Sequence, residues 1–528
     1  MFRKILVALL VALSVGCAAP GNSTLAPMRI AGAQAQTTPA QYLVLISIDA
    51  CRPEYLELAP LPRLQELRER GVTYSDAWVG SLLSNTPPGH TEMATGAFPN
   101  HNGILSFTWK NSETGALTDP TSLEAINNGE MARIVAQAGV PTLAGLIKAQ
   151  TPDAKVAAVS AHKYYAAQGL GMGPTDYILY AKRVPKVAAK SKQPTPTPDR
   201  AYEPAEGSVV PVALKGHEPS PDVLNDKRLN VTYTKPGDEN GFAINAALVL
   251  FEKYKPRGLL INLPETDGLG HKTGGILAPD QFRELMLATD AHIGRLIDAY
   301  RAAGIFDQTL WIITADHGMV PNSHVIDPKT LREIARQAGV QGGGGMNVYL
   351  PKPAQAPQLV EALAKKSVDG VLGLYAKVKR GDQWFYQPAP TTQANISPAL
   401  NDAYLYLLGT YAGVTSHDAV VMLKENWVIG TDKPNTKGEH GSVTWGNQHI
   451  PLIISGPGIK PGAVSNAPAR LVDLAPTIAR GMNLAMTGMD GVSLADAFSA
   501  PQAADVNAQN AVTSKLAPLR DALKAASR

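Results

Sequence analysis

Six side chains that can bind a metal ion follow apolar segments or lie in glycine-flanked turns of this 528-residue sequence. They are Asp49, Asp267, His271, Asp316, His317 and His440. Zinc accepts both carboxylate and imidazole ligands, so the set is typical of a zinc site if the fold brings these segments together. An aspartate at the end of one strand is more often a turn or a helix cap. The zinc hypothesis therefore depends on the six occurring together.

A possible nucleophile, Thr86, opens the segment Thr-Pro-Pro-Gly-His over residues 86–90. The two prolines are typical of the first turn of a helix, where a missing N–H costs least. Unpaired backbone N–H groups and the positive end of the helix dipole favour an anion there, either an alkoxide or a phosphate. The same pattern also fits a threonine that only caps the helix. This segment alone leaves both interpretations open.

The elements that must position these residues are short apolar runs that alternate with longer segments of helical period. The predicted core strands are 42–48, 155–161, 257–263, 309–315 and 450–456. The predicted helices are 62–70, 130–150, 241–254, 279–303 and 471–482. This alternation predicts an α/β fold with a mostly parallel sheet flanked by helices on both faces. Ligands gather at the carboxyl ends of strands in such sheets, where the six side chains are expected to meet.

The chain is expected to have a core in two parts with a smaller lobe inserted between them. The predicted parts are a signal peptide (1–19), a flexible tether (20–40), the first part of the α/β core (41–335), an inserted α+β lobe (336–430), the second part of the core (431–500) and a peripheral C-terminal helix (501–528). Within the core, residues 185–222 hold eight prolines. This composition favours a solvated loop over a lid that gates the substrate.

The N-terminal residues are typical of an export signal. Arg3 and Lys4 precede an apolar run over residues 5–15, which is too short to span a bilayer. Cys17 ends a lipobox-like Ser-Val-Gly-Cys sequence and is a candidate for acylation, which would anchor the protein to lipid. Cleavage by an ordinary signal peptidase after Ala19, or further on near Ala33 or Ala35, is the alternative. We therefore expect an exported protein of the periplasm or outer envelope.

Charge and cysteine content exclude several classes of protein. Lys plus Arg number 48 and Asp plus Glu number 45, with no long basic run, so a nucleic-acid partner is not expected. Cys17 and Cys51 are the two cysteines, and loss or acylation of Cys17 leaves no pair for an internal disulfide. A hydrophobic fraction of 45% and a charged fraction of 18% are typical of a globular protein. Nothing in the sequence indicates an oligomeric state.

The ordered motifs resemble the alkaline phosphatase superfamily, and most closely its nucleotide pyrophosphatase/phosphodiesterase branch. The resemblance covers most of residues 41–335 and 431–490. It rests on Asp49 in IDACRPEYL, Thr86 in SNTPPGH with PNHNGI behind it, TDGLGH at 266–271, DHG at 316–318 and GEHG at 438–441.

This resemblance implies an alkaline phosphatase-like fold and a site with two zinc ions. One zinc would be held by Asp49, Asp316 and His317 and contacted by Thr86. The other would be held by Asp267, His271 and His440. The resemblance also implies that Thr86 attacks phosphorus and forms a phospho-threonine, which water activated at the other zinc then hydrolyses.

Two departures from the family pattern affect how phosphate is bound. Phe107 stands about 21 residues after Thr86, where the phosphodiesterases place an asparagine. Asn85, Asn102 or the Thr86 backbone N–H could replace that asparagine. Lys163 occurs without the arginine that accompanies it in some phosphomonoesterases, and it is either a substrate-binding residue or a plain surface lysine. The missing arginine favours a singly charged diester.

The sequence therefore predicts an exported zinc-dependent hydrolase of phosphodiester or pyrophosphate bonds that acts on a small phosphate ester or nucleotide. The runner-up is a phosphomonoesterase with the same two-metal site, and the non-enzymatic alternative is an inactive zinc-binding envelope protein. A sulfatase is excluded because Cys51-Arg52-Pro53 has the wrong order for formylglycine formation. Four further histidines near the motifs are expected to make structural hydrogen bonds: His90, His101, His324 and His449.

Overall fold

The computed structural model describes residues 38–183, 208–390, 392, 396–430 and 436–527. In these residues the strands of the two larger sheets are β1 (Tyr42–Ile48), β2 (Gly71–Tyr74), β3 (Val156–Val159), β4 (Tyr177–Arg183), β5 (Ser208–Ala213), β6 (Val231–Thr232), β7 (Gly258–Leu263), β8 (Thr309–Thr314), β9 (Asn347–Val348), β10 (Val371–Arg380), β11 (Gln383–Pro388), β12 (Ala419–Leu423), β13 (Leu452–Ser455) and β14 (Ala463–Ser465).

The α-helices of the described residues are α1 (Pro62–Glu69), α2 (Thr86–Thr95), α3 (Pro99–Asn102), α4 (Leu123–Asn127), α5 (Glu130–Ala138), α6 (Leu143–Gln150), α7 (Tyr164–Leu170), α8 (Pro221–Leu224), α9 (Asp238–Tyr254), α10 (Glu265–Thr273), α11 (Pro279–Ala302), α12 (Pro328–Gln337), α13 (Ala356–Lys366), α14 (Pro398–Gly409), α15 (Trp445–Gln448), α16 (Leu474–Gly481) and α17 (Ala503–Ala526). Short ribbons pair Trp109–Lys110 with Leu117–Thr118, Val320–Pro321 with Gly438–Glu439, and His324–Ile326 with Trp427–Ile429.

A ten-stranded sheet flanked by helices forms the core, with strand order β14-β2-β13-β8-β1-β7-β3-β4-β5-β6. Its central block, β8-β1-β7-β3-β4, is parallel. In this block Ile46 of β1 lies between Ile313 of β8 and Ile261 of β7. Every residue of β7 and β8 is buried, as parallel strands between two helical layers require. The predicted α/β class with helices on both faces is confirmed.

Several predicted elements differ from those in the structure. The segment 450–456 forms β13, which runs antiparallel to β8, so the sheet is mixed and antiparallel strands flank its parallel centre. The single helix predicted over 130–150 is two helices, α5 and α6. Gly139 ends the first in a left-handed conformation with φ 70°, and Pro141 follows it. The helical period of the sequence thus continues across a turn that separates two helices.

The smaller α+β lobe contains a four-stranded antiparallel sheet in the order β9-β12-β10-β11. Helices α12 and α13 supply part of its own hydrophobic cluster, which includes Leu331, Leu359 and Val421. An ion pair joins the lobe to the core, because Nζ of Lys110 lies 2.9 Å from Oδ2 of Asp418. One face of this sheet therefore has a hydrophobic cluster of its own, whereas Tyr375 and Val420 on the same strands belong to the main cluster.

Several predicted segments lie partly outside the described residues. The signal peptide, Cys17 and most of the tether lie outside them, as do residues 184–207 of the proline-rich segment. The rest of that segment is more regular than a loop, because Ser208–Ala213 forms β5 beside β4. At the other end of the chain, α17 reaches the core through Lys524, which donates to Asp76 at 2.6 Å. Among the described helices, none combines the length and the apolarity needed to cross a bilayer.

Candidate active site

The order of the central strands explains why residues far apart in the sequence meet. Strands β8, β1, β7 and β3 are adjacent and parallel, so their carboxyl ends lie at one edge of the sheet. Asp49 directly follows β1, and Asp316 lies two residues after β8. Asp267 is in the first turn of α10, which follows β7, and Lys163 follows β3. The order of the parallel strands therefore brings these side chains together, as the sequence predicts.

The first cluster, called the Asp316 group, consists of Asp49, Asp316 and His317. One ligand atom from each lies within 4.8 Å of the others, and all three side chains are fully buried. Nε2 of His317 is 3.3 Å from Oδ2 of Asp316 and 3.7 Å from Oδ1 of Asp49. The hydroxyl oxygen of Thr86 lies 3.3 Å from the same Nε2 atom. The predicted nucleophile therefore faces this group.

The second cluster, called the Asp267 group, consists of Asp267, His271 and His440, again with ligand atoms within 4.8 Å of one another. Asp267 and His271 lie one turn apart on the same face of α10, a helix that is not among those predicted from the sequence. Oδ1 of Asp267 is 3.3 Å from Nε2 of His271 and 3.4 Å from Nε2 of His440. Asp267 and His271 are four residues apart because that spacing is about one turn of a helix and places both side chains on one face.

His440 directly follows the short strand Gly438–Glu439. This strand pairs with Val320–Pro321, which comes shortly after His317 in the chain. This ribbon comes very close to α10, because a Cβ atom added to Gly438 would lie 2.5 Å from the carbonyl oxygen of Gly270. Only glycine permits that approach. The rings of His317 and His440 stack with centroids 3.8 Å apart. The Asp316 group and the Asp267 group therefore adjoin.

The three imidazoles share one hydrogen-bond arrangement, in which Nδ1–H donates to a backbone carbonyl. The pairs are His271 with Gly438 at 2.9 Å, His317 with Gly318 at 2.9 Å, and His440 with Ser84 at 3.0 Å. Because a carbonyl oxygen can only accept, these bonds hold the proton on Nδ1. In the neutral ring, Nε2 then presents its lone pair to the carboxylates, as in metal-binding histidines.

Each group also contains a buried carboxylate oxygen that has no hydrogen-bond partner among the described residues. These atoms are Oδ2 of Asp316 and Oδ1 of Asp267. Leaving a buried anionic oxygen without a partner is costly, and a cation would remove that cost. Two adjoining sets of carboxylate and imidazole ligands match the donor preference of zinc. The residues present therefore fit two zinc ions.

Lys163 lies where the two groups meet. Its ammonium donates to Oδ1 of Asp49 at 2.9 Å and to Oδ2 of Asp267 at 2.6 Å. With 4% of its surface exposed, it is not the plain surface lysine that the sequence allowed. It neutralises one carboxylate of each group.

The neighbouring charges shift the pKa values of the site unevenly. Burial, and then the Asp316 carboxylate, raise the pKa of Asp49 to about 7. Burial also acts to raise the pKa of Asp267, but Lys163 and His271 hold it well below its usual value. Burial acts to lower the pKa of His271, but the Asp267 carboxylate raises it to about 9. Without a metal ion, His271 therefore also carries a proton on Nε2 near neutral pH, and a metal ion bound to the Asp267 group would replace that proton.

Helix α2 has the two prolines in its first turn, as the sequence predicts. Thr86 is the first residue of α2 and Asn85 stands at the N-cap, without a capping bond from its side chain. Thr86 is thus not the cap, because its hydroxyl points to His317. Asn85 accepts a hydrogen bond from Nδ1 of His440 at 3.2 Å, so it lies beside the nucleophile.

Asn102, a candidate for binding phosphate, has a structural role instead. It is fully buried, donates to the carbonyl oxygen of Ala97 at 2.7 Å and accepts from the N–H of Ile104 at 2.8 Å.

Three of the histidines expected to make structural hydrogen bonds do so, with these partners: His90 with the Thr86 carbonyl, His101 with Asp490, and His449 with the Ser75 carbonyl. His324 stacks on Trp427.

Sequence reasoning missed Asn262, which lies near the end of β7. Its Nδ2 donates to Oδ2 of Asp49 at 2.8 Å and is 3.0 Å from Nε2 of His90. Its Oδ1 accepts from the hydroxyl of Ser160 at 2.6 Å. Asn262 thereby orients a candidate ligand. A polar residue inside an otherwise apolar buried strand is the signal that could have identified it.

Known proteins similar to this chain are hydrolases of phosphate esters. The family model of type I phosphodiesterase / nucleotide pyrophosphatase matches residues 43–443. Alkaline phosphatase PhoD of Zymomonas mobilis subsp. mobilis is 25% identical over 473 residues, which cover 78% of this chain and 79% of that protein. Alkaline phosphatase PhoK of Sphingomonas sp is 24% identical over 419 residues, which cover 68% of this chain and 73% of that protein.

Solved structures share the fold. Wild-type alkaline phosphatase PafA aligns with a TM-score of 0.64 at 16% identity, over 88% of this chain and 100% of that chain. Human ectonucleotide pyrophosphatase/phosphodiesterase 5 aligns with a TM-score of 0.56 at 15% identity, over 87% of this chain and 100% of that chain. Together with the family match, these likenesses confirm the predicted resemblance to the alkaline phosphatase superfamily.

Proposed function

Because this chain belongs to the type I phosphodiesterase/nucleotide pyrophosphatase family and is a phosphoric ester hydrolase, we propose that it cleaves phosphodiester or pyrophosphate bonds with Thr86 as the nucleophile. The observation that carries the proposal is the position of the Thr86 hydroxyl, 3.3 Å from His317 beside two adjoining ligand groups. A small phosphate ester or a nucleotide is the substrate class.

The proposal includes two zinc ions, one in the Asp316 group and one in the Asp267 group. Bound there, they supply the positive charge that lowers the pKa of a nearby hydroxyl and offsets the charge on phosphate. A free threonine hydroxyl is hardly ionised near neutral pH and is a weak nucleophile. The burial of the Asp316 group favours such a role, because charge acts more strongly where water is excluded.

The chain itself positions the phosphate and the nucleophile. Pro87 and Pro88 carry no N–H, and the N–H of Gly89 is bonded to Asn85, so the Thr86 N–H remains for a phosphate oxygen in this turn. Lys163 supplies an ammonium. Oγ1 of Thr86, having lost its proton to water, bonds to phosphorus as the bond from phosphorus to the leaving oxygen breaks. Water then cleaves the resulting phospho-threonine, which releases the phosphate product and restores the hydroxyl.

The test uses the full chain loaded with zinc and bis-p-nitrophenyl phosphate as substrate. Thr86→Ala should lower kcat/KM by about a thousandfold or more, because the nucleophile is lost. Thr91→Ala is the matched control: this threonine lies on the same helix, and its hydroxyl donates to the Pro87 carbonyl at 2.9 Å. The control should keep full turnover. Full turnover in Thr86→Ala would contradict the proposal.

A phosphomonoesterase with the same metal site is the second candidate. Both curated relatives are named alkaline phosphatases, which favours it. Comparing kcat/KM for p-nitrophenyl phosphate and its diester separates the two, because specificity is a ratio of these constants. An inactive zinc-binding protein would instead bind zinc without hydrolysing either ester.

We also propose that the protein is exported, because Arg3, Lys4 and the apolar run over 5–15 are typical of a signal peptide. Fractionation of expressing cells should recover the protein in the envelope or periplasm. If Cys17 is acylated, Cys17→Ala should move the protein from the membrane fraction to the soluble periplasmic fraction. Recovery of the uncleaved chain in the cytoplasm would contradict export.

A further inference from the structure

Two aromatic side chains, Phe107 and Tyr165, contact each other beside the ligand groups. Their ring centroids are 5.1 Å apart and the planes are inclined at 83°, an edge-to-face contact. Tyr165 lies in the first turn of α7, whose N-cap residue is Lys163. Phe107 follows Ser106, which accepts a hydrogen bond from Asn85 at 3.5 Å. The pair thus joins the segment beside the nucleophile to the helix that begins after Lys163.

The Tyr165 ring is held from two sides and its hydroxyl is available to a ligand. Phe107 contacts one part of the ring, and Tyr164 contacts it edge-on with centroids 5.3 Å apart. No hydrogen bond joins the phenol of the half-buried Tyr165 to any other residue in the described part of the chain. Burial raises the pKa of this phenol, so it stays a neutral hydrogen-bond donor at neutral pH.

The cationic groups at this edge of the sheet are few. Among the described residues, Lys163 pairs with the carboxylates of both groups, and no arginine bonds to Asp49, Asp267 or Asp316. A doubly charged monoester is best matched by the two parallel hydrogen bonds of a guanidinium. A singly charged diester needs less positive charge. Besides the Thr86 N–H and the Asn85 amide, the side-chain donors here are the ammonium of Lys163 and the phenol of Tyr165.

We propose that the Tyr165 hydroxyl donates a hydrogen bond to a non-bridging phosphoryl oxygen beside Lys163, and that this neutral donor makes the site select singly charged diesters over doubly charged monoesters. Phe107 is the positioning residue that holds the Tyr165 ring. This inference rests on the proposed function and specifies its substrate class. It assigns Tyr165 as a specificity-determining residue.

The experiment compares the zinc-loaded wild type with Tyr165→Phe and Tyr165→Arg on p-nitrophenyl phosphate and bis-p-nitrophenyl phosphate. Tyr165→Phe keeps the ring and should lower kcat/KM for the diester about tenfold. Tyr165→Arg should raise the monoester-to-diester ratio of kcat/KM about tenfold or more and strengthen inhibition by inorganic phosphate. Tyr164→Phe is the matched control and should leave the ratio unchanged. Zinc content and thermal unfolding are measured for every variant.

The outcomes separate this inference from the proposed function. A wild type that hydrolyses neither ester overturns the proposed function, and this inference with it. A wild type that hydrolyses either ester, with a ratio that changes by less than about twofold in both Tyr165 variants, overturns this inference alone. If Tyr165→Arg does not fold, the kcat/KM of Tyr165→Phe for the diester decides.

Discussion

The Lys163 ammonium donates to Oδ2 of Asp267 at 2.6 Å, at the junction of the two candidate metal groups. Both side chains are buried. The ammonium therefore lies against carboxylates of both groups, which the two proposed zinc ions would also contact. Under the proposed function, zinc ions that neutralise the carboxylates would leave the ammonium free to bind a phosphate oxygen. Lys163 would then link metal binding to substrate binding.

Replacing Lys163 should affect metal affinity and turnover in opposite directions. Lys163→Met removes a positive charge that competes with metal, so zinc affinity should rise, while loss of the phosphate contact should lower kcat/KM about tenfold or more. Competition with a chromophoric chelator measures the affinity. Lys155→Met is the control, because Lys155 pairs with Asp176 away from the site. Weaker zinc binding in Lys163→Met would show that the lysine supports the ligand groups instead.

Removing one imidazole should empty one metal site and leave the other filled. His271→Ala takes a ligand from the Asp267 group, so zinc content measured by mass spectrometry should fall from about two ions per chain to about one. His217→Ala is the control, since this ring bonds to the Thr175 carbonyl at 2.8 Å. Two zinc ions retained by His271→Ala would remove this histidine from the ligand set.

Asn262 should be needed for metal affinity although it is not a proposed ligand. Asn262→Ala removes the donor to Asp49, so zinc affinity should fall about tenfold to a hundredfold. Ser160→Ala removes only the bond to Asn262 and should have a smaller effect. Titration of the metal-free protein with zinc measures both. Equal affinities in Asn262→Ala and the wild type would contradict an orienting role.

Acid should destabilise the folded protein through His417. Burial, and then Lys377, lower the pKa of this histidine from 6.5 to about 3. The folded state thus keeps the ring neutral while the unfolded state binds a proton below about pH 6.5. The contribution of His417 to the free energy of unfolding should therefore fall by about 1.4 kcal/mol per pH unit as the pH drops from about 6 to 5.

Urea unfolding of the metal-free protein measures this dependence. His417→Gln should show a shallower pH slope than the wild type, because the group that binds the proton on unfolding is gone. His324→Gln is the control, since this ring lies at the surface against Trp427. An unchanged slope in His417→Gln would mean that another group carries the acid sensitivity.

The sequence alone determined the class of fold, the family resemblance and the residue types of the candidate site. Strands such as β1 and β8 are short, apolar and bounded by turn residues, so their pattern is local and readable. The motifs around Asp49, Thr86 and Asp316 are local as well. Local patterns could not show that the helical period over 130–150 is broken at Gly139, or that β13 runs antiparallel to β8.

Only the tertiary structure decided which of these residues touch. The strand order places β1 between β7 and β8, and this adjacency brings Asp49 near both Asp316 and, through Lys163, Asp267. The contact between Phe107 and Tyr165 likewise joins segments that no spacing rule connects. Strand order and helix packing are set by the burial of apolar surface across the whole chain, which is why such contacts cannot be read from local patterns.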